Sequence, residues 1–112
     1  MKNLIIVLLS IFILQSCGKN RIPEGVLSED KMVEILVDIH MVEGIVSSFP
    51  IHYDSSRVLY PYLELEVFKK HSVPDSVFKS SLEYYMRDVT AMDRMYSRTI
   101  DSLHVIEKSS IE

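Results

Sequence analysis

After residue 28, apolar side chains recur every three or four positions along most of the chain, the spacing that places them on one face of an α-helix. Ser28 can cap free backbone N–H groups at the start of a helix, and the acids Glu29 and Asp30 suit the positive end of its dipole. Pro50 cannot continue a helix. The pattern therefore predicts a helix A over residues 29–47, with these apolar positions: Met32, Ile35, Leu36, Ile39, Val42 and Val46.

A second repeat follows Asp54, which, with the two serines after it, can start another helix. This repeat predicts a helix B over residues 56–71. Pro61 has no N–H to donate, so we expect it either to kink this helix or to occupy the first turn of a fresh one. The apolar face of helix B consists of Leu59, Tyr62, Leu63, Val67 and Phe68.

The third repeat begins after Pro74 and Asp75, a pair that suits a first helical turn. It predicts a helix C that either runs unbroken over residues 75–106 or folds back as two helices near Arg87 to Thr90. Its predicted core face consists of Phe78, Leu82, Tyr85, Val89, Met92, Tyr96, Ile100 and Leu103.

No stretch alternates apolar and polar residues as a half-buried strand would. We expect an all-α domain over residues 26–107, a small three-helix or possible four-helix antiparallel bundle. Residues 108–112 should form a frayed tail. A repeat as long as helix C can also be a coiled-coil seam, so a homo-oligomer formed through helix C is an alternative use of the face that we assign to the core.

The N-terminus has a different pattern: Lys2 gives it a positive start, and a run from Leu4 to Leu14 follows that is apolar except for Ser10. This combination is typical of a secretory signal peptide, which we place at residues 1–16. A transmembrane helix needs about 20 apolar residues, and this run is much shorter.

Leu14, Gln15, Ser16 and Cys17 resemble the bacterial lipobox, in which the peptide is cut before a cysteine whose thiol carries a diacylglycerol. The resemblance implies that the membrane is a partner through acylated Cys17, because several acyl chains together anchor a protein stably. The polar stretch 17–25 contains Pro and Gly and should act as a flexible tether.

The tether also bears on orientation, because surface-exported lipoproteins of the Bacteroidota resemble one another in acidic residues just after the cysteine. Here the charged residues in those positions are Lys19 and Arg21. We therefore expect a lipid-anchored protein of the bacterial cell envelope that faces the periplasm, at the outer rather than the inner membrane.

Charge and cysteine content exclude several classes of function. The leader holds one of the twelve basic residues and none of the sixteen acidic ones, so the mature chain would carry a formal charge of −5. An acidic chain is a poor partner for nucleic acid, and we expect none. Since Cys17 is the one cysteine of the sequence, disulfides within the domain and catalytic Cys–His pairs are excluded.

Asp38, His40 and Glu43 form the candidate polar cluster. At 100° per residue, Glu43 falls on the apolar stripe of helix A, and Asp38 and His40 lie on its two margins. A carboxylate there must find partners, so we expect Glu43 to be largely buried and bound to a tyrosine or arginine of helix B or C. We predict no metal site and no cofactor, because the four histidines are scattered and phosphate-binding or hydrolase motifs are absent from the sequence.

Several segments resemble a family of small helical Bacteroidota lipoproteins known only as a domain of unknown function. The resemblance covers about residues 22–106 and supports the three helices and the Asp-x-His-x-x-Glu element, but it implies no activity. It is carried by Val26–Met32, Ile35–Glu43, Phe68–Val73, and Phe78, Ser81, Leu82, Tyr84 and Tyr85.

We expect a non-enzymatic binding or structural module for another envelope component, with an envelope protein as its partner. A tethered module is concentrated near its membrane partners, so a weak patch is sufficient. The alternative is a small envelope enzyme or ligand-binding protein that uses Asp38, His40 and Glu43. An enzyme needs these groups to converge in a pocket, whereas a binding module needs an exposed apolar patch.

Overall fold

A computed structural model of the chain describes residues 1–13 and 21–112, and the side chains of 1–8 and 21–112. These ranges are helical and contain no strand, so the all-α prediction is confirmed. The helices are α1 (Lys2–Ile13), α2 (Glu29–Ser48), α3 (Tyr53–Lys70), α4 (Asp75–Met86) and α5 (Val89–Ile111). Within this part of the chain, no helix combines the length and apolar character needed to cross a membrane.

Helix α2 is the centre of the domain, because it packs against α3, α4 and α5. The Ser28 hydroxyl accepts a hydrogen bond from the Lys31 N–H at 3.2 Å, as a capping residue should. The helix ends one residue beyond the predicted range 29–47. More faces of α2 are buried than the predicted apolar stripe, because other helices pack against it on several sides. The buried residues of α2 are Met32, Val33, Ile35, Leu36, Val37, Ile39 and Val46.

Helix α3 begins at Tyr53, before the predicted start at residue 56. Pro61 lies inside it, so the alternative of a fresh helix starting at that proline is wrong. Over most of its length α3 has α2 as its packed neighbour, and its fully buried residues are Val67 and Phe68 near the C-terminal end. Tyr62, which the pattern placed on the core face, has 61% of its surface exposed.

Helix C is broken, as the second alternative predicted, and α4 ends at Met86. Asp88 caps α5, because its side chain accepts a hydrogen bond from the Ala91 N–H at 3.2 Å. The break changes the helical phase, so the predicted core face is only partly correct after Tyr85: Met92 and Leu103 are partly buried and pack against the core, as predicted. Beyond Tyr85, the buried positions are Ala91, Met95 and Thr99, whereas the predicted Val89, Tyr96 and Ile100 are exposed.

The helices are compatible with the predicted antiparallel bundle, but the molecule is extended, with principal dimensions of 78 × 36 × 25 Å. Part of the reason is that α3 packs mainly against α2. Helix α5 also continues to Ile111, beyond the predicted end at residue 106 and through most of the tail that was expected to fray.

The C-terminal end of α3 turns sharply and is stabilised by two backbone hydrogen bonds. The Val73 N–H donates to the Phe68 carbonyl, and the Ser72 N–H donates to the Lys69 carbonyl, both at 3.0 Å. This is the Schellman arrangement, in which buried Val73 and Phe68 supply the accompanying apolar contact. Ser72 adopts the left-handed conformation, with φ of 54°, at the position that usually holds glycine.

Replacing Ser72 by glycine should therefore stabilise the domain. The left-handed conformation is unfavourable for any residue with a Cβ, and relief of this strain outweighs the larger entropy of an unfolded glycine. We expect the free energy of unfolding to rise by about 0.5–1 kcal/mol, measured by urea denaturation. Ser80→Gly, at an exposed position inside α4, is the matched control and should lower it by about 0.5 kcal/mol. A loss of stability in Ser72→Gly would contradict the assigned backbone conformation.

Candidate functional site

The structure divides the predicted polar cluster into two separate sets of contacts. His40 and Glu43 meet on the surface of α2, with the His40 Nδ1 2.8 Å from the Glu43 Oε2. The Tyr60 hydroxyl of α3 donates a hydrogen bond to the other Glu43 oxygen at 3.2 Å. Asp38 instead reaches the opposite end of α3.

The prediction that Glu43 is largely buried is wrong, because 47% of its side chain is exposed. Glu43 lies at the edge of the contact between α2 and α3, where its carboxylate accepts the hydrogen bond from Tyr60. The expected tyrosine partner is nevertheless present. Burial, followed by the carboxylates of Glu64 and Glu43, raises the pKa of Tyr60, so its hydroxyl remains a donor. The Glu43 carboxylate connects α2 to α3 through an exposed hydrogen bond. Because exposed polar contacts contribute little to stability, Glu43→Lys should have only a small effect on the free energy of unfolding.

Asp38 joins α2 to the end of α3. Its Oδ2 lies 2.6 Å from the His71 Nε2 and accepts a hydrogen bond from the Lys70 ammonium at 2.8 Å. Burial raises the pKa of Asp38, but the hydrogen bonds from Lys70 and His71 outweigh this effect and leave the pKa below its ordinary value. The side chain of His71 is only 10% exposed. Sequence reasoning did not predict the contact of His71 with Asp38, because a histidine at a helix end gives no sign of which helix it packs against.

An open groove of about 570 Å³ runs beside this contact. It is lined by charged and polar residues of α2, α5 and the end of α3, among them Asp30, Glu34, Asp38, His71, Arg98 and Ser102. A different depression, of about 430 Å³, contains Glu43 and Tyr60. Asp38 and Glu43 therefore do not converge in one pocket.

Two carboxylates should make the domain sensitive to acid. The pKa of Asp38 is lowered from 3.8, and a hydrogen bond from Arg94 is the main cause that lowers the pKa of Glu29 from 4.5. Because the unfolded chain binds protons at higher pH than the folded one, both groups stabilise the fold above their ordinary pKa values. We expect the free energy of unfolding to fall as the pH drops from about 5 through the lowered pKa values of the folded state.

Urea denaturation across this pH range measures the effect, and Asp38→Asn should show a shallower decline than the wild-type domain. Asp101→Asn is the control, because Asp101 is exposed on α5. A slope unchanged by Asp38→Asn would show that the Asp38 contact does not distinguish the folded from the unfolded state.

Cys17 and the other lipobox residues, Leu14, Gln15 and Ser16, lie outside the described residues. In the ranges 1–13 and 21–112, no group of three or more His, Cys, Asp or Glu side chains is placed to hold a metal ion.

The turn between α2 and α3 carries a surface that the sequence patterns did not single out. We call it the hairpin tip, and it consists of Phe49, Ile51, Tyr53, Val58 and Tyr62, which are all exposed. Tyr53 and Val58 have 75% and 76% of their surfaces exposed. The guanidinium carbon of Arg57 lies 5.8 Å from the centre of the Tyr53 ring, within the range of a cation–π contact.

A shallow groove of about 550 Å³ adjoins the hairpin tip along α3 and is lined by Asp54, Ser55, Val58, Leu59 and Tyr62. Single exposed apolar side chains are common on proteins, but the concentration of exposed aromatic and aliphatic residues between positions 49 and 62 favours an interaction surface. The signal in the sequence was the density of large apolar residues between 49 and 62, of which the helical pattern assigned only Leu59 and Tyr62 to a core face.

These features define a small, all-helical domain with an exposed aromatic tip and charged contacts between its helices. A family model matches residues 23–109, and the chain belongs to that family, which is described as a domain of unknown function, DUF4296. No curated protein and no solved structure matches the chain at a significant level.

Proposed function

We propose that this protein is a lipid-anchored module of the bacterial envelope that binds another envelope protein through the hairpin tip. The exposure of Phe49, Tyr53, Val58 and Tyr62 carries this proposal. Enzymatic use of the polar cluster has less support, because Asp38 contacts Lys70 and His71 whereas Glu43 contacts His40 and Tyr60.

The anchor part of the proposal rests on the sequence. A charged start, an apolar run and the lipobox Leu14–Cys17 support cleavage before Cys17 and its acylation. Lys19 and Arg21 after the cysteine favour retention on the periplasmic side, and we place the protein at the outer membrane.

The position of the hairpin tip suits a protein partner. The tether enters the domain just before Ser28, and the tip follows the other end of α2, a helix of 20 residues. At 1.5 Å per residue, α2 separates the two by about 30 Å. The tip is therefore well placed to reach a protein away from the anchor.

The partner should present apolar side chains, because the groove beside Val58 and Tyr62 is mostly apolar. Aromatic residues such as Tyr53 contribute much of the binding energy in protein interfaces, since they bury a large area and lose few rotamers. The cation–π contact with Arg57 contributes to the placement of the Tyr53 ring.

Photo-crosslinking in the native envelope tests the proposal. A benzophenone amino acid at position 53 should form an adduct with a second envelope protein. The same amino acid at position 96 should form none, because Tyr96 lies on α5 and is only 39% exposed. Tyr53→Ala combined with Val58→Ala should abolish the adduct of a probe at position 62.

Three outcomes would overturn the binding proposal. An adduct from position 96 and none from position 53 would place the interface on α5. An adduct of twice the mass of the chain would indicate self-association. Absence of an adduct from all tip positions would show that the hairpin tip is not an interface in the cell.

A further inference from the structure

A second exposed surface lies at the other end of the domain, around the turn between α4 and α5. Met86 and Val89 are 63% and 74% exposed, and Tyr84 is 37% exposed. Ile22, the first large apolar residue described after the leader, is 40% exposed. We call these four side chains the turn surface.

The turn surface is close to the start of the domain, because Ile22 and Tyr84 line one cavity of about 560 Å³. The same cavity is lined by Ser28 and Glu29, at the beginning of α2. The turn surface and the hairpin tip therefore lie near opposite ends of α2.

Chain length limits the distance between this surface and the anchor. Only five peptide units separate Ile22 from Cys17, and a fully extended chain spans at most about 3.6 Å per residue. The Cα atoms of the two residues thus lie within about 18 Å of each other. If Cys17 is acylated, the turn surface cannot leave the neighbourhood of the bilayer.

The charges around the cavity favour a neutral interface. Arg94 binds Glu29 through two hydrogen bonds, and the Arg98 guanidinium binds Asp30 at 2.6 Å. Arg87 and Asp88 add one charge of each sign to the same lining. The negative charge of the mature chain is therefore not concentrated at this end, so it does not repel the surface from a bilayer.

We propose that the turn surface, formed by Ile22, Tyr84, Met86 and Val89, rests in the headgroup region of the bilayer that holds the anchor. This inference relies on the proposed acylation of Cys17. Tyrosine suits that region because its ring is apolar and its hydroxyl is polar. The contact is apolar in origin, so it requires no anionic lipid, and it turns the hairpin tip away from the membrane.

Fluorescence of the full lipoprotein in vesicles tests this orientation. Acylation would occupy the thiol of Cys17, the one cysteine of the chain, so Met86→Cys and Val89→Cys each introduce a unique reactive thiol. Each variant is labelled with the environment-sensitive dye NBD and reconstituted into phosphatidylcholine vesicles. Val58→Cys is the matched control, because Val58 is as exposed as Val89 but lies on the hairpin tip.

We expect a blue shift at positions 86 and 89, and quenching by phosphatidylcholine that carries a nitroxide near its headgroup. Position 58 should show neither effect, and added salt should change nothing. Equal quenching at positions 58 and 86, or none at 86 and 89, would overturn the orientation. Quenching that needs phosphatidylglycerol and disappears in salt would overturn its apolar basis.

Flotation of the same samples separates the two proposals. Protein that floats with the vesicles but shows no quenching at position 86 would overturn only the orientation. Protein that does not float would overturn the lipid anchor, and the orientation with it.

Discussion

Replacement of Tyr85 by alanine should lower the free energy of unfolding by about 3–5 kcal/mol, which is the typical cost of deleting a large buried aromatic side chain. Tyr85 is only 3% exposed and belongs to the main apolar core. A small domain has a marginal total stability, so this variant should be largely unfolded at physiological temperature.

The loss of stability in Tyr85→Ala includes more than lost packing, because Tyr85 also binds the segment that precedes α2. Its hydroxyl donates a hydrogen bond to the Leu27 carbonyl at 2.8 Å. The N–H of Leu27 donates to the hydroxyl of Ser81, one turn earlier on α4, at 2.9 Å. Ser81 is fully buried, and its hydroxyl donates a hydrogen bond to the Val77 carbonyl. Both backbone groups of Leu27 are thus satisfied by side chains of one helix.

Two further variants separate these contributions in denaturant titrations of the mature chain. Tyr85→Phe retains the ring and loses the hydrogen bond, so we expect a loss of about 1–3 kcal/mol, the cost of leaving the Leu27 carbonyl unpaired. Tyr84→Ala is the control, because its neighbouring ring is 37% exposed, and it should cost less than about 1 kcal/mol. Equal losses for Tyr84→Ala and Tyr85→Ala would show that α4 does not pack on Leu27.

Local signals in the sequence predicted much of the helical structure. Ser28 and the acids after it fixed the start of α2, since capping depends on residues that are adjacent in the chain. Asp75 at the start of α4 followed the same logic. The sequence left two alternatives near residue 87, a continuous helix or a break. The break is stabilised by Asp88, which caps the Ala91 N–H, but the apolar repeat around it was also compatible with a continuous helix.

The contacts between helices were harder to predict, because they depend on which neighbour covers each face. Glu43 lies in phase with the core stripe of α2 but is exposed, because it lies at the edge of the contact between α2 and α3. Tyr62 is in phase with the predicted face of α3 and is also exposed. A periodic pattern predicts which side chains share one face of a helix. Whether that face is buried depends on which other helix packs against it.

Cys17→Ala should abolish the incorporation of fatty acid into the protein and leave an uncut precursor. The expected effect is complete, because the thiol of Cys17 is the proposed attachment point of the diacylglycerol and the chain has no other cysteine. Metabolic labelling with a radioactive fatty acid, followed by immunoprecipitation, measures the first effect. The size of the product on a denaturing gel measures the second.

The adjacent residue provides the matched control. Ser16→Ala preserves a small side chain before the cut, so labelling and cleavage should continue as in the wild type. Because a single acyl chain holds a protein only marginally, the loss of all chains in Cys17→Ala should also remove the stable anchor. The uncut apolar leader can still retain the precursor at the membrane, so fatty acid label is the decisive measurement. Label that persists in Cys17→Ala would show that the lipid is attached elsewhere, or that the lipobox resemblance is accidental.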